Sequence, residues 1–108
     1  MTTEHQPPSP GDGAVTTGEV DNAERRVREA RERAAHAGFS AAKSFEESAR
    51  RHERLAKVQD ESVRQGVSDI AQHRESAIRH RKAAADDRHL AKLKREESEI
   101  DLTLDPDY

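Results

Sequence analysis

A seven-residue series of small or branched apolar residues runs without a gap through the middle of this 108-residue chain. Its members are Ala35, Ala42, Ala49, Ala56, Val63, Ile70, Ala77, Ala84 and Ala91. A second set comprises Phe45, His52, Gln59, Gly66, His73, His80 and Asp87. Each of these residues lies three positions after one member of the first series and four positions before the next. Alternating spacings of three and four keep one stripe of a helix facing a partner helix, as in a coiled coil.

The pattern therefore predicts an all-α protein whose helices meet along a narrow, Ala-rich, coiled-coil-like seam. The residues predicted to pack in this seam are Ala42, Phe45, Ala49, Ala56, Val63, Ile70, Ala77, Ala84 and Ala91. Alanine buries little apolar area, so each layer of the seam stabilises the fold weakly. Val, Ile, Leu and Phe number only 16, which favours self-association or a helical partner over a self-sufficient core.

Two glycines interrupt the good helix formers and set the expected helix boundaries. We expect Gly38 to end a first helix near 22–37, because glycine readily adopts the left-handed conformation that follows a helix. A second helix is expected near 41–65 and, beyond Gly66, a third near 69–98. The residues with N-cap character for these three helices are Asp21 (with Glu24 three residues later), Ser40 and Ser68.

The role of Gly66 leaves two architectures open. A turn there predicts an antiparallel helical hairpin, or a loose three-helix bundle, with Ala56 near Ala77 and Ala49 near Ala84. A single glycine within a helix costs only about 1 kcal/mol, so residues 41–98 are also compatible with one long helix.

Charge divides the chain into three parts. Residues 1–21 carry four acidic and no basic residues, residues 22–95 hold all 19 basic residues against 12 acidic ones, and residues 96–108 carry six acidic residues. The first segment is also rich in Pro and Gly, which disfavour ordered structure. We expect disordered acidic tails over 1–21 and 99–108, around a helical region at 22–98. The C-terminal tail is expected to be frayed; the alternatives are that it is a short acidic and apolar docking peptide, or that it covers the basic centre.

Motifs that carry chemistry are missing from the sequence. There is no Gly-rich phosphate loop or His-Glu-x-x-His motif, and no two histidines share the spacing that lets a helix hold a metal ion. We expect no enzymatic activity, no cofactor, no metal and no small-molecule substrate. No segment has the ~20 apolar residues of a membrane span. The chain also has no cysteine, so a cytoplasmic location is expected.

Two sets of polar residues remain as candidates for function. Residues 69–95 are basic enough to contact phosphates of nucleic acid without sequence preference. The candidate contacts are Arg74, Arg79, Arg81, Lys82, Arg88 and Lys92. Histidines in a seam also respond to pH, because a charged imidazole resists burial. The candidate pH-sensing residues are His52, His73 and His80.

The sequence therefore favours a non-enzymatic interaction or structural protein that self-associates or binds a helical partner through helix packing. The alternative is an accessory protein that binds nucleic acid through the basic face of residues 69–95.

Overall fold

The computed structural model describes residues 16–104 and contains two α-helices within that range. Helix α1 spans Thr17–Arg64 and helix α2 spans Ile70–Thr103. No strand occurs in the described residues. The prediction of an all-α protein is confirmed, and the two long helices pack against each other.

The two helices run antiparallel from a short turn. Near the turn Gln59 contacts His73, and one heptad further away His52 contacts His80. With increasing distance from the turn, the residue numbers of the contacts fall on α1 and rise on α2. The helices therefore lie side by side as a single two-helix layer.

Helix α1 begins earlier than the sequence predicts. Thr16 is its N-cap: the side chain of Thr16 accepts a hydrogen bond from the Glu19 amide, and the Glu19 carboxylate accepts one from the Thr16 amide. This capping box satisfies amide groups that have no partner within the helix. The expected cap at Asp21 is wrong, because Asp21 lies inside the helix.

The predicted helix break at Gly38 is also wrong, and with it the three-helix arrangement and the cap at Ser40. Helix α1 continues through both residues. A Cβ atom at position 38 would lie 1.9 Å from the Ser98 hydroxyl oxygen and 3.5 Å from the Lys94 carbonyl oxygen. Gly38 is therefore the point at which α1 and α2 approach too closely for a side chain.

Gly66 forms the turn between the helices. It has φ of 69°, the left-handed conformation that glycine adopts most easily. Its amide donates to the Val63 carbonyl and the Val67 amide donates to the Ser62 carbonyl, which is the Schellman arrangement that ends a helix. The alternative of one continuous helix over 41–98 is therefore wrong.

Helix α2 starts without the expected serine cap. Its N-cap is Asp69, not Ser68, and the Asp69 side chain makes no capping hydrogen bond. Asp69 itself has φ of 63°, a left-handed conformation that aspartate tolerates better than most residues.

The core of the helix pair consists of very small residues. The fully buried residues in the described range are Ala35, Ala42, Ala49, Ala56, Ala77, Ala84, Ala91 and Ser98. Among the other predicted seam residues, Phe45 and Val63 are half-buried and Ile70 is exposed. Small side chains at every buried layer allow the two helix backbones to lie close together.

The ends of the helices differ from the predicted tail boundaries. Residues 17–21 and 99–103 were expected in the tails, yet they are helical. Residues 1–15 and 105–108, which hold the rest of both predicted tails, lie outside the described residues.

The Arg31 guanidinium donates to the Leu104 carbonyl at 3.1 Å, so the start of α1 extends past the end of α2. Residues 17–27 are exposed throughout.

Candidate interaction surfaces

Two histidines meet in the middle of the seam. The Nδ1 atoms of His52 and His80 lie 2.9 Å apart, and the ring centroids are separated by 5.1 Å. Both residues follow a buried alanine by three positions, Ala49 and Ala77, so the antiparallel register brings them to the same layer. A hydrogen bond between two Nδ1 atoms requires one ring to donate and the other to accept.

A carboxylate lies beside this histidine pair. One oxygen of Asp87, Oδ2, is 4.0 Å from His52 Nε2, which is too far for a hydrogen bond. This oxygen is buried and has no hydrogen-bond partner among the described residues. The Asp87 side chain as a whole is 18% exposed.

The third candidate pH-sensing residue, His73, lies one heptad closer to the turn. Its Nδ1 atom contacts Oε1 of Gln59 across the seam at 2.5 Å. Because the glutamine oxygen can only accept a hydrogen bond, this contact requires the tautomer of His73 that carries a proton on Nδ1. The structure thus joins each of the three histidines to a polar partner on the opposite helix.

Acid–base pairs connect the helices along one side of the seam. The pairs are Glu46 with Arg95, Glu53 with Arg88, and Asp60 with Arg81. The carboxylates recur every seven residues on α1 and the arginines every seven residues on α2. We call these six residues the charged ladder. Each ladder residue on α1 follows a buried alanine by four positions, which places the ladder on one broad face of the helix pair.

Glu46 and Arg95 are the ladder pair in which each side chain shifts the pKa of the other. Arg95 Nε donates to Glu46 Oε1 at 2.7 Å. This hydrogen bond, aided by the charge of Arg95, lowers the pKa of Glu46 although partial desolvation opposes the shift. The same bond raises the pKa of Arg95. Both side chains therefore stay ionised across the neutral range.

Carboxylates lie close to most of the residues predicted to contact nucleic acid. Arg81 and Arg88 belong to the charged ladder. Three more lie 3.8–3.9 Å from acidic residues of their own helix: Arg79 near Glu75, Lys82 near Asp86, and Lys92 near Glu96.

Arg74 differs from these five. It lines a groove near the turn together with Lys57, Asp60, Val63 and Arg64. The two other cations of this groove lie on α1, outside the basic face of residues 69–95, and one of them, Arg64, is paired with Glu61.

The broad face opposite the charged ladder is apolar, and the sequence predictions missed it. Helix α1 carries a second stripe on this face. It contains the residues that immediately precede the buried alanines and the residues three positions after those, so its spacings alternate between three and four. This stripe comprises Val20, Ala23, Val27, Ala30, Ala34, Ala37, Ala41, Ser44, Ser48, Arg51, Leu55 and Val58. Only Arg51 in it is charged.

Helix α2 contributes a stripe to the same face, of whose nine members three are charged. Its members are Ser76, Arg79, Ala83, Asp86, Leu90, Leu93, Glu97, Ile100 and Leu104. We call the two stripes together the apolar face. Eight of the eleven exposed large hydrophobic residues lie on it: Val20, Val27, Leu55, Val58, Leu90, Leu93, Ile100 and Leu104. The seven-residue spacing of Val20, Val27, Ala34 and Ala41 was the signal that could have revealed it.

The described residues offer few other kinds of site. Within 16–104, no three His, Asp or Glu side chains are grouped so that they could hold a metal ion. Neither α1 nor α2 has an apolar stretch long enough to cross a bilayer. Comparison with protein-family models, with curated proteins and with solved structures finds no match to this chain.

Proposed function

We propose that the chain is a non-enzymatic helical interaction protein that acts by packing its helix pair against another helical surface. One observation supports this most strongly. Every fully buried residue in the described range is an alanine or a serine, whereas eleven large hydrophobic residues are exposed. A self-sufficient core has the reverse distribution. Contiguous exposed apolar surface of this kind is typical of protein–protein contact sites.

The charged ladder fits the same function. Ion pairs between exposed side chains add little stability, about 0–1 kcal/mol each, but they fix the register of α2 against α1. A fixed register presents the apolar face as one continuous surface. The coiled-coil-like seam therefore serves as the scaffold, and the apolar face serves as the contact surface. The proposed location is the cytoplasm, whose reducing conditions suit a chain without cysteine.

Site-specific photo-crosslinking in the native cells tests this function. A photoreactive amino acid is placed at Leu90 or Leu55 on the apolar face, or at Val27 on the same face beyond the end of α2. The matched control is Ile78, which is 64% exposed but lies off that face. We expect adducts larger than the chain from the apolar face and few from position 78. Absence of adducts from all face positions, or equal yields from position 78, contradicts the proposal.

The nucleic-acid alternative receives less support. Five of its six candidate residues lie beside carboxylates, which reduce the positive potential that phosphate binding needs. The test is fluorescence anisotropy of labelled random-sequence DNA and RNA with the full chain at low salt. Tight binding that weakens when Arg74 is replaced by Gln would favour the alternative. No change in anisotropy would reject it.

A further inference from the structure

The histidine pair in the seam brings two metal-binding groups together. Nδ1 of His52 on α1 and Nδ1 of His80 on α2 lie 2.9 Å apart. A neutral imidazole nitrogen without a proton is the commonest metal ligand in proteins. The sequence alone predicts no metal, because no helix carries two histidines at a chelating spacing. The pair of His52 and His80 forms between two helices instead, through their antiparallel register.

The separation of the two rings suits one shared ion. Two imidazoles that each bind a tetrahedral ion at about 2.0–2.1 Å have their bound nitrogens about 3.3 Å apart and their ring centroids about 5.2 Å apart. The ring centroids of His52 and His80 are 5.1 Å apart. Modest side-chain rotation therefore opens the distance between the Nδ1 atoms enough to admit an ion, and the helix backbones keep their positions.

The Asp87 carboxylate lies on the other side of the His52 ring. His80 and Asp87 are one heptad apart on α2, and His52 lies between them, with Nδ1 near His80 and Nε2 near Asp87. Histidines that bind metals commonly donate their second N–H to a carboxylate, which leaves the lone pair of the first nitrogen for the ion. Asp87 Oδ2, 4.0 Å from His52 Nε2, is placed to favour this tautomer once the two groups close by about 1 Å.

Burial and charge at this layer favour a cation. Asp87 Oδ2 is buried and has no hydrogen-bond partner among the described residues, an unusual state that often indicates a missing ion or water. Glu53 and Arg88, which follow His52 and Asp87 in the sequence, pair with each other, so their charges balance and the negative charge of Asp87 remains. The His52 side chain is 31% exposed, so water reaches this layer.

We propose that His52 and His80 together bind one divalent transition-metal ion of the class that imidazole prefers, such as Zn²⁺, Ni²⁺ or Cu²⁺, with Asp87 as a positioning residue. No third imidazole or carboxylate in the range 16–104 joins the pair as a ligand. Water therefore completes the coordination, and binding is weaker than at structural sites with four protein ligands. The ion links α1 to α2. This inference is independent of the apolar face and its partner.

Isothermal titration calorimetry of the full chain with Zn²⁺ tests the ligands. We expect one ion per chain, and loss of this binding in the variant His52→Leu/His80→Leu. His73→Leu is the matched control, because His73 is also a seam histidine but faces the amide of Gln59, and this variant should bind Zn²⁺ like the native chain. Circular dichroism without metal shows whether each variant still forms α1 and α2. If the double variant loses its helices, His80→Gln provides the same comparison with a polar replacement.

A second set of measurements tests the link between the helices and the role of Asp87. Zn²⁺ should raise the melting temperature of the native chain and not that of the double leucine variant, because an ion that binds only the folded pair stabilises the fold by mass action. Asp87→Asn should weaken Zn²⁺ binding about 10-fold without changing the stoichiometry. With Cu²⁺ as the probe, electron paramagnetic resonance should show two coordinated nitrogens in the native chain and in Asp87→Asn.

The outcomes are distinct. Zn²⁺ binding that is lost with His52 and His80 but kept in His73→Leu supports the site. No binding by the native chain, or equal affinity of the native chain and the double leucine variant, overturns it. Unchanged affinity of Asp87→Asn overturns the positioning role of Asp87.

Discussion

His52 and His80 face each other across the seam with their Nδ1 atoms 2.9 Å apart. Such a contact holds only while at least one of the two nitrogens lacks a proton. If both rings are protonated, two N–H groups of two cations point at each other. The nearby Asp87 carboxylate, 4.0 Å from His52 Nε2, offsets part of that repulsion, and the ladder residues Glu53 and Arg88 flank the same layers.

Replacing both histidines with leucine tests this relationship. Removing both partners of a buried hydrogen bond is nearly neutral or stabilising, whereas removing one leaves the other unpaired. We expect His52→Leu/His80→Leu to unfold at the same or a higher denaturant concentration than the native chain. The single variant His80→Leu should be less stable than the double variant, by up to about 1 kcal/mol.

Gly38→Ala gives opposite expectations from helix propensity and from packing. Propensity alone favours alanine in the middle of a helix by about 1 kcal/mol. The structure predicts destabilisation, because the new Cβ would lie 1.9 Å from the Ser98 hydroxyl oxygen. The second variant Gly38→Ala/Ser98→Gly removes that obstacle and should recover most of the loss. Urea denaturation followed by circular dichroism measures all three proteins, and a stabilised single variant would contradict the close approach.

The turn provides a different test of glycine. Gly66 has φ of 69° and no atom within 4 Å of the position of a Cβ. Gly66→Ala is therefore expected to destabilise through backbone conformation alone, by about 1–2 kcal/mol. Gly66→Asn should cost less, because asparagine tolerates the left-handed region. Equal stability of both variants with the native chain would show that the turn does not require this conformation.

Acid should weaken the ladder at Glu46. Its pKa is lowered in the folded chain by the hydrogen bond from Arg95. The folded state therefore favours the carboxylate, and this contribution is fully present above the pKa of the unfolded chain. It is lost as the pH falls through the lowered value in the folded chain, on the acid side of about 4.5.

Unfolding free energies measured from pH 7 to pH 3 check this expectation. Glu46→Gln should flatten the acid limb of the curve, whereas Glu47→Gln changes the next residue, which is exposed, and should leave the limb unchanged. An identical slope for the Glu46 variant and the native chain would contradict the coupling to Arg95.

The sequence predicts some parts of this fold better than others. The helical character is readable, because long runs without proline and a heptad pattern leave little choice. Helix boundaries are harder to predict, because the sequence around Gly38 and Gly66 does not distinguish the two glycines. Gly38 lies against Ser98 on the opposite helix, whereas Gly66 adopts φ of 69° in the turn. That difference is decided by tertiary packing, which a local pattern does not contain.

The apolar face was missed for a related reason. The sequence pattern assigns the seven-residue series that contains Ala42 and Ala49 to the seam. It gives no role to the neighbouring series, which contains Ala41 and Ser48. Only the antiparallel register of α1 and α2 shows that Leu55 and Leu90 lie on one face. The pairing of Glu46 with Arg95, 49 residues apart, depends on the same register, although the carboxylate and the arginine each recur with the heptad.

The unequal lengths of α1 and α2 provide an internal reporter of what binds this chain. Arg31 contacts the last described residue after α2, Leu104, so residues 17–27 project beyond the helix pair. A single helix of this length is marginally stable alone, and its amide hydrogens exchange with solvent by local fraying. We expect these amides to exchange faster than those of the paired parts of α1 and α2. Slow exchange at residues 17–27 would instead mark a partner that covers Val20 and Val27.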